Sequence, residues 1–130
     1  MIELNYVAII AAAVAAFVLS SVLYVGLGRQ LAALSPAYAE TTAPPAWKIA
    51  QEPVRNLVIA VVVAGLADLL MVTDLAGAGL LALALWVAFP AMILAGSVIH
   101  ENVPPKLATI HAVDWLIKIL LITVVVSLWQ

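Results

Sequence analysis

The sequence has 130 residues, of which 67% are hydrophobic and only 9% are charged. Soluble globular domains carry roughly a quarter charged residues, so this composition excludes a water-soluble fold. The formal net charge is −2 and the charged residues are scattered, which predicts no nucleic-acid partner. Because the chain has no cysteine, disulfide bonds, thiolate metal sites and cysteine nucleophiles are also excluded.

Four apolar stretches are each long enough to cross a hydrocarbon core, which needs about 20 helical residues. They run over Asn5–Leu27, Val54–Val72, Ala76–Ile99 and Leu107–Trp129. Backbone groups in lipid must pair within the segment, and these stretches lack the alternating pattern of a membrane barrel. The sequence therefore predicts an all-α fold, a four-helix transmembrane bundle that forms a single integral membrane domain over residues 1–130.

The first span resembles a secretory signal, because a small-x-small triplet, Ala37–Ala39, follows it. However, the residues before the apolar run include Glu3 and no lysine or arginine, and the triplet lies about ten residues beyond that run. We therefore expect a retained helix. Small residues recur at every fourth position of this span, at Ala8, Ala12, Ala16 and Ser20. Such a stripe is typical of a helix-packing face, within the chain or between copies.

The connections between the spans differ in length. Residues 28–53 contain four prolines and several serines and threonines, which predicts a long loop with at most one short interfacial piece. Only a short segment, Thr73–Leu75, separates the second and third spans, which predicts a tight hairpin. The third and fourth spans are joined by His100–Lys106, which predicts a short turn stiffened by two prolines. Helices two and three, and helices three and four, are therefore expected to be antiparallel neighbours.

Basic residues predict the orientation of the bundle. Arg29, Lys48 and Arg55 flank the first loop and Lys106 lies in the third, whereas the termini and the second loop have none. Basic residues favour the cytoplasmic side, so residues 28–53 are expected to form a cytoplasmic loop. Both termini then face away from the cytoplasm, an N-out/C-out topology.

The third span contains a proline near its centre. Pro90 removes the helical hydrogen bond to the carbonyl of Trp86 and predicts a kink. A kink at this depth can open a cavity or serve as a hinge, but it is more often static packing.

The last span carries three polar residues on one helix face. His111, Asp114 and Lys118 are spaced i, i+3 and i+7, and Lys118 lies about 16 Å into the span at 1.5 Å per residue. A charge at that depth needs a partner, which is either Asp114 or Asp68 of the second span. These four residues either line an ion or proton pathway or form an internal ion-pair cluster that orients the helices.

A second cluster is expected at the inner interface, formed by Arg55, His100 and Glu101. A metal site that combines His100 and Glu101 with His111 is disfavoured, because the spacing matches no standard ligand pattern. The serines lack the context of a hydrolase nucleophile. We therefore predict no metal-binding, cofactor-binding or catalytic residues.

The order of these features resembles the small four-span membrane proteins of domain-of-unknown-function family 1761. The likeness rests on features spread over most of the chain: Asn5-Tyr6, Tyr24, Arg55, the Trp86-to-Pro90 segment, His100-Glu101 and the run from His111 to Lys118. The resemblance implies a multi-pass protein of a bacterial inner membrane. It implies no activity from which functional residues could be transferred.

Two classes of function follow from these observations. The first is a small non-enzymatic membrane protein, either an accessory subunit of a larger membrane complex or a homo-oligomeric permeation unit for ions or small solutes. The alternative is a membrane enzyme or binding protein that acts on lipid-like or quinone-like molecules at the inner interface. The lipid bilayer is the one partner common to both.

Overall fold

A computed structural model describes residues 2–39 and 44–130, and within these ranges the chain contains helices and no strands. The helices are α1 (Tyr6–Gly26), α2 (Gly28–Leu34), α3 (Pro36–Ala39), α4 (Ala46–Leu69), α5 (Leu75–Trp86), α6 (Met92–Glu101) and α7 (Pro105–Leu128). A π-helical turn, Val87–Ala91, joins α5 to α6. In the described part of the chain, four stretches are long and apolar enough to cross a membrane, namely α1, α4, the continuous α5–α6 segment and α7. The predicted all-α fold with four spans is confirmed.

Helix α7 lies at the centre of the bundle. It packs against α1, α4, α5 and α6, and α1 also packs against α4. The third and fourth spans were expected to be neighbours, and they are, since α5 and α6 both pack against α7. The second and third spans were also expected to be neighbours, but this is wrong, because α4 and α5 barely touch although a short turn joins them. Because α5 packs against α7 and not against α4, a cleft remains between α4 and the α5–α6 segment.

The half of the bundle that contains the chain termini has an apolar core built largely from alanine. Alanines of α1 and α4 meet two larger side chains of α7, Ile122 and Val126, and all of these residues are buried. Small side chains let the helix backbones approach closely. The stripe of small residues on α1 therefore packs within the chain.

The segment between the first two spans is more helical than its prolines predict. It contains α2 and α3, and α4 begins at Ala46 rather than at Val54, with Pro53 inside the helix. Residues 40–43 of the predicted loop lie outside the described residues. Burial of Leu31 against Leu107 and Ile110 attaches α2 to the first turns of α7, a tertiary contact that outweighs the composition of the segment.

At Pro90, where the sequence predicts a kink, the third span contains the π-helical turn. Proline leaves the carbonyl of Trp86 without its helical partner, and the turn absorbs the change in backbone geometry. The indole Nε1 of Trp86 donates a hydrogen bond of 2.9 Å to the carbonyl oxygen of Ala112 in α7. This bond fixes the third span to the central helix beside the turn.

Candidate functional site

Asp114 and Lys118 form a buried ion pair on the inward face of α7. The two residues are 3% and 1% exposed, and Lys118 Nζ lies 3.1 Å from Asp114 Oδ2. The other carboxylate oxygen, Oδ1, accepts a hydrogen bond of 2.6 Å from the hydroxyl of Ser20 in α1. The charge of Asp114 is thus satisfied by two helices.

Lys118 is less completely satisfied. Its ammonium group is within ion-pair distance of Asp114, but the contact lacks hydrogen-bond geometry. Nζ also lies 4.4 Å from the centroid of the Trp115 ring, a cation–π contact. The side chain of Asn56 in α4 is fully buried and has no hydrogen-bond partner among the described residues. The centre of the bundle therefore holds polar groups with unused hydrogen-bonding capacity.

A cluster of aromatic side chains lies between Asp114 and the end of the bundle where α1 ends. The Tyr24 hydroxyl lies 2.5 Å from Nδ1 of His111, and the Tyr38 ring of α3 stacks on Tyr24 with centroids 6.2 Å apart. The Tyr38 ring also lies 6.3 Å from the ring of His111. Burial raises the pKa of Tyr38, and the negative charges of Asp114 and Glu52 raise it further. The Tyr38 hydroxyl therefore keeps its proton into the alkaline range.

A second charge pair comes from α4. Arg55 Nη2 lies 2.7 Å from Glu52 Oε1, and both side chains are partly exposed. The guanidinium carbon of Arg55 lies 5.5 Å from the centroid of the Trp115 ring. Trp115 therefore lies near two cations, Arg55 and Lys118.

These groups surround a cavity of about 520 Å³, which we call the polar cavity. It lies at the end of the bundle where α1 ends and α7 begins. Its wall is formed by Phe17, Ser20, Ser21, Tyr24, Tyr38, Glu52, Arg55, Leu94, His111, Asp114 and Trp115. Carboxylate, imidazole, phenol, hydroxyl and guanidinium groups converge there, so the cavity can hydrogen-bond a polar group of either donor or acceptor character.

The structure brings together three of the four residues that were predicted to form the polar cluster on the last span. His111 and Asp114 line the polar cavity, and Lys118 pairs with Asp114. Asp68 lies near the other end of α4, where it accepts a hydrogen bond of 3.2 Å from the backbone N–H of Glu3. The pairing of Asp68 with Lys118 that the sequence left open is therefore not formed, because Asp114 is one helical turn away on the same helix.

The predicted inner-interface cluster is divided. Arg55 lines the polar cavity, whereas His100 and Glu101 are exposed at the end of α6 and do not line it. The sequence had placed the three together because they fall at the same side of the membrane, but α6 packs against α7 rather than against α4. Among the described residues, no group of three or more histidine, aspartate and glutamate side chains lies close enough to hold a metal ion.

Several residues of the polar cavity were missed as site residues from the sequence. Ser20 was assigned to a packing stripe and Tyr24 was noted only among the features of the family resemblance, while Tyr38, Glu52 and Trp115 were not singled out as site residues. Ser20 is the polar member of an otherwise alanine stripe, and that difference was the available signal. Tyr38 carried no such signal, because its contact with Tyr24 depends on how α3 folds back over the bundle.

The chain belongs to the family described as "Protein of unknown function (DUF1761)", which matches residues 7–127. The resemblance noted in the sequence is therefore confirmed over nearly the whole chain. No curated protein and no solved structure is significantly similar to this chain. Since the family description gives no activity, the function has to be inferred from the polar cavity itself.

Proposed function

We propose that this family member is a membrane binding protein whose polar cavity receives the polar head of a lipid-like or quinone-like molecule. The observation that supports the proposal is the position of the cavity. Asp114 lies nine residues after the start of α7, about 14 Å along the helix axis at 1.5 Å per residue. Tyr38 and Glu52, from the segment between the first two predicted spans, line the same cavity. The cavity therefore extends from that segment down to Asp114, and we infer that it opens at the interface, where the heads of membrane amphiphiles reside.

The charges of the polar cavity support a binding role further. Asp114 pairs with Lys118 and Glu52 pairs with Arg55, so the cavity can be occupied or empty without leaving a bare buried charge. The orientation predicted from the basic residues would place the cavity on the cytoplasmic side of an inner membrane.

Accessory-subunit and permeation roles remain the other proposals for this protein. A pathway through a single chain would have to continue past Lys118 into the apolar core, where Ala12, Ala60 and Ile122 are fully buried. Permeation would therefore need an interface between copies. Equal ion and proton flux in vesicles carrying wild type or Lys118→Met would leave it without support.

The test of the binding proposal is a titration of the purified protein in lipid nanodiscs with a short-chain uncharged quinone, followed by tryptophan fluorescence. Quinones quench tryptophan on contact, and Trp115 lines the polar cavity. We expect saturable quenching that is lost in Trp115→Phe. The matched control is Trp129→Phe, at the opposite end of the bundle, which should keep the saturable component.

Two results would contradict the proposal. Quenching that rises in proportion to the quinone, without saturation, would indicate simple partitioning into the lipid. A saturable component that survives in Trp115→Phe would place the binding site elsewhere.

A further inference from the structure

A second cavity of about 570 Å³, which we call the apolar groove, occupies the cleft between α4 and the α5–α6 segment. Val58, Val62 and Leu66 form one wall, Phe89 and Ile93 are on the other, and Ile119 of α7 lies at the floor. Its lining is almost entirely apolar. Helices bound it on both sides, so it is a groove that runs along α4 and is open to the outside of the bundle.

The polar cavity and the apolar groove share part of their walls. Trp115 and Leu94 line both of them. The two cavities therefore adjoin at these two side chains, so a molecule whose polar end occupies the polar cavity is placed to extend its apolar end past Trp115 and Leu94 into the groove. Two adjoining cavities of opposite polarity match the two ends of an amphiphile.

The dimensions of the apolar groove fit an apolar chain that lies along the helices. Val58 and Leu66 are eight residues apart on α4, about 12 Å at 1.5 Å per residue. Pro90 lines the groove on the opposite side, so the π-helical turn shapes its wall. The separation of α4 from α5, which the short connection did not predict, is what creates this space.

The polar cavity favours an uncharged head over an ionic one. A phosphate would meet the carboxylates of Asp114 and Glu52, and each of the two cations nearby already has a carboxylate partner. Aromatic rings form much of the wall, with Tyr24 and Tyr38 stacked to within 8° of parallel. Planar rings and hydroxyl donors suit a flat head that carries hydrogen-bond acceptors.

We propose that the ligand is a quinone-class amphiphile, an uncharged oxygen-bearing ring on an apolar chain, with the ring in the polar cavity and the chain in the apolar groove. This inference rests on the proposed binding function. It adds that the head of the ligand is uncharged and that its apolar chain lies in the apolar groove. Either addition can fail while the binding function stands.

The experiment uses chain-labelled photoprobes in lipid nanodiscs that contain the full-length protein. Three probes carry the same diazirine-labelled chain and differ in their heads, which are an uncharged quinone, a phosphate and a quaternary ammonium. Labelled residues are identified by mass spectrometry. We expect the quinone probe to label the walls of the apolar groove, and an excess of unlabelled short-chain quinone to suppress that labelling.

A matched pair of variants separates the groove from general contact with lipid. Val62 lies in the groove and is 55% exposed, while Val14 on α1 lies outside it and is 56% exposed. Val62→Trp should fill the groove and abolish groove labelling, whereas Val14→Trp should leave it unchanged. Bilayer chains are as apolar as the groove, so the site of labelling is a sharper readout than affinity.

The outcomes distinguish the two proposals. Saturable quenching at Trp115 with chain labels spread over all lipid-facing helices would overturn the groove assignment and leave the binding function intact. Labelling of the groove by the phosphate probe or the quaternary ammonium probe equal to that by the quinone probe would overturn the uncharged head. Absence of saturable quenching, together with no localised labelling by any of the three probes, would overturn the binding function itself.

Discussion

The two ends of this bundle are built from the same helices but have opposite interiors. Toward the chain termini, α1, α4 and α7 meet through alanine, valine and isoleucine side chains that are almost completely buried. Toward the other end, the same three helices contribute Ser20, Arg55 and Asp114 to a cavity of about 520 Å³. The chain thus combines a tightly packed half with an open polar half.

The difference indicates a division of roles along the membrane normal. Apolar association of helices in lipid depends on close packing, and the alanine half provides it. The polar half contains a cavity and hydrogen-bonding groups in place of close packing. Polar groups inside a membrane are costly unless each one has a partner. The Asp114–Lys118 pair lies at the boundary between the halves, so its substitution tests the comparison most severely.

The largest expected effect is that of Lys118→Ala. The variant leaves the Asp114 carboxylate buried without its cation, and breaking a buried pair in this way costs about 3–5 kcal/mol. The double variant Lys118→Met with Asp114→Leu removes both charges and should be more stable than the single variant. Unfolding in mixed micelles, followed by circular dichroism, measures both.

A double variant less stable than Lys118→Ala would show that the boundary depends on the charges themselves. In that case the polar half would stabilise the bundle rather than reduce its packing, and the contrast between the two ends would not hold.

The features that sequence could predict are those set by local periodicity. Long apolar runs gave the four spans, and the spacing of His111, Asp114 and Lys118 placed them on one face of a helix. The depth of Lys118 also required a partner, and Asp114 was one of two named. None of these inferences needs knowledge of how one helix docks on another.

The features that sequence could not predict depend on docking. Ser20 reaches Asp114 because α1 runs antiparallel to α7 at one register, and nothing in either helix alone specifies that register. The position of α5 on α7 rather than on α4 is likewise a tertiary choice. Prolines in residues 28–53 indicated a loop, but contacts of Leu31 with α7 favour helix there.

Ser20→Ala is expected to have the next largest effect. The Ser20 hydroxyl donates to a buried carboxylate, and hydrogen bonds to charged groups contribute about 1.5–3 kcal/mol. The neighbouring Ser21 donates instead to the carbonyl of Phe17 in its own helix, so Ser21→Ala should change stability little. Equal losses of unfolding free energy in the two variants would contradict the assignment of Ser20 to the polar half.

The smallest change in stability is expected for Glu52→Gln. Its ion pair with Arg55 is partly exposed, and such pairs contribute about 0–1 kcal/mol. The variant removes one negative charge from the wall of the polar cavity, however, and leaves Arg55 without its partner. Cross-linking of the phosphate-headed photoprobe should therefore rise, even though the bundle is hardly destabilised.

The control for this change is Glu101→Gln, an exposed glutamate at the same end of the bundle that does not line the polar cavity. It alters the net charge of the protein by the same amount, so it accounts for any general attraction of anionic probes to that surface. An increase in phosphate labelling that is equal in the two variants would mean that Glu52 does not determine the charge selectivity of the polar cavity. An increase confined to Glu52→Gln would show that the open half of the bundle selects its ligand by charge, through a residue that contributes little to its stability.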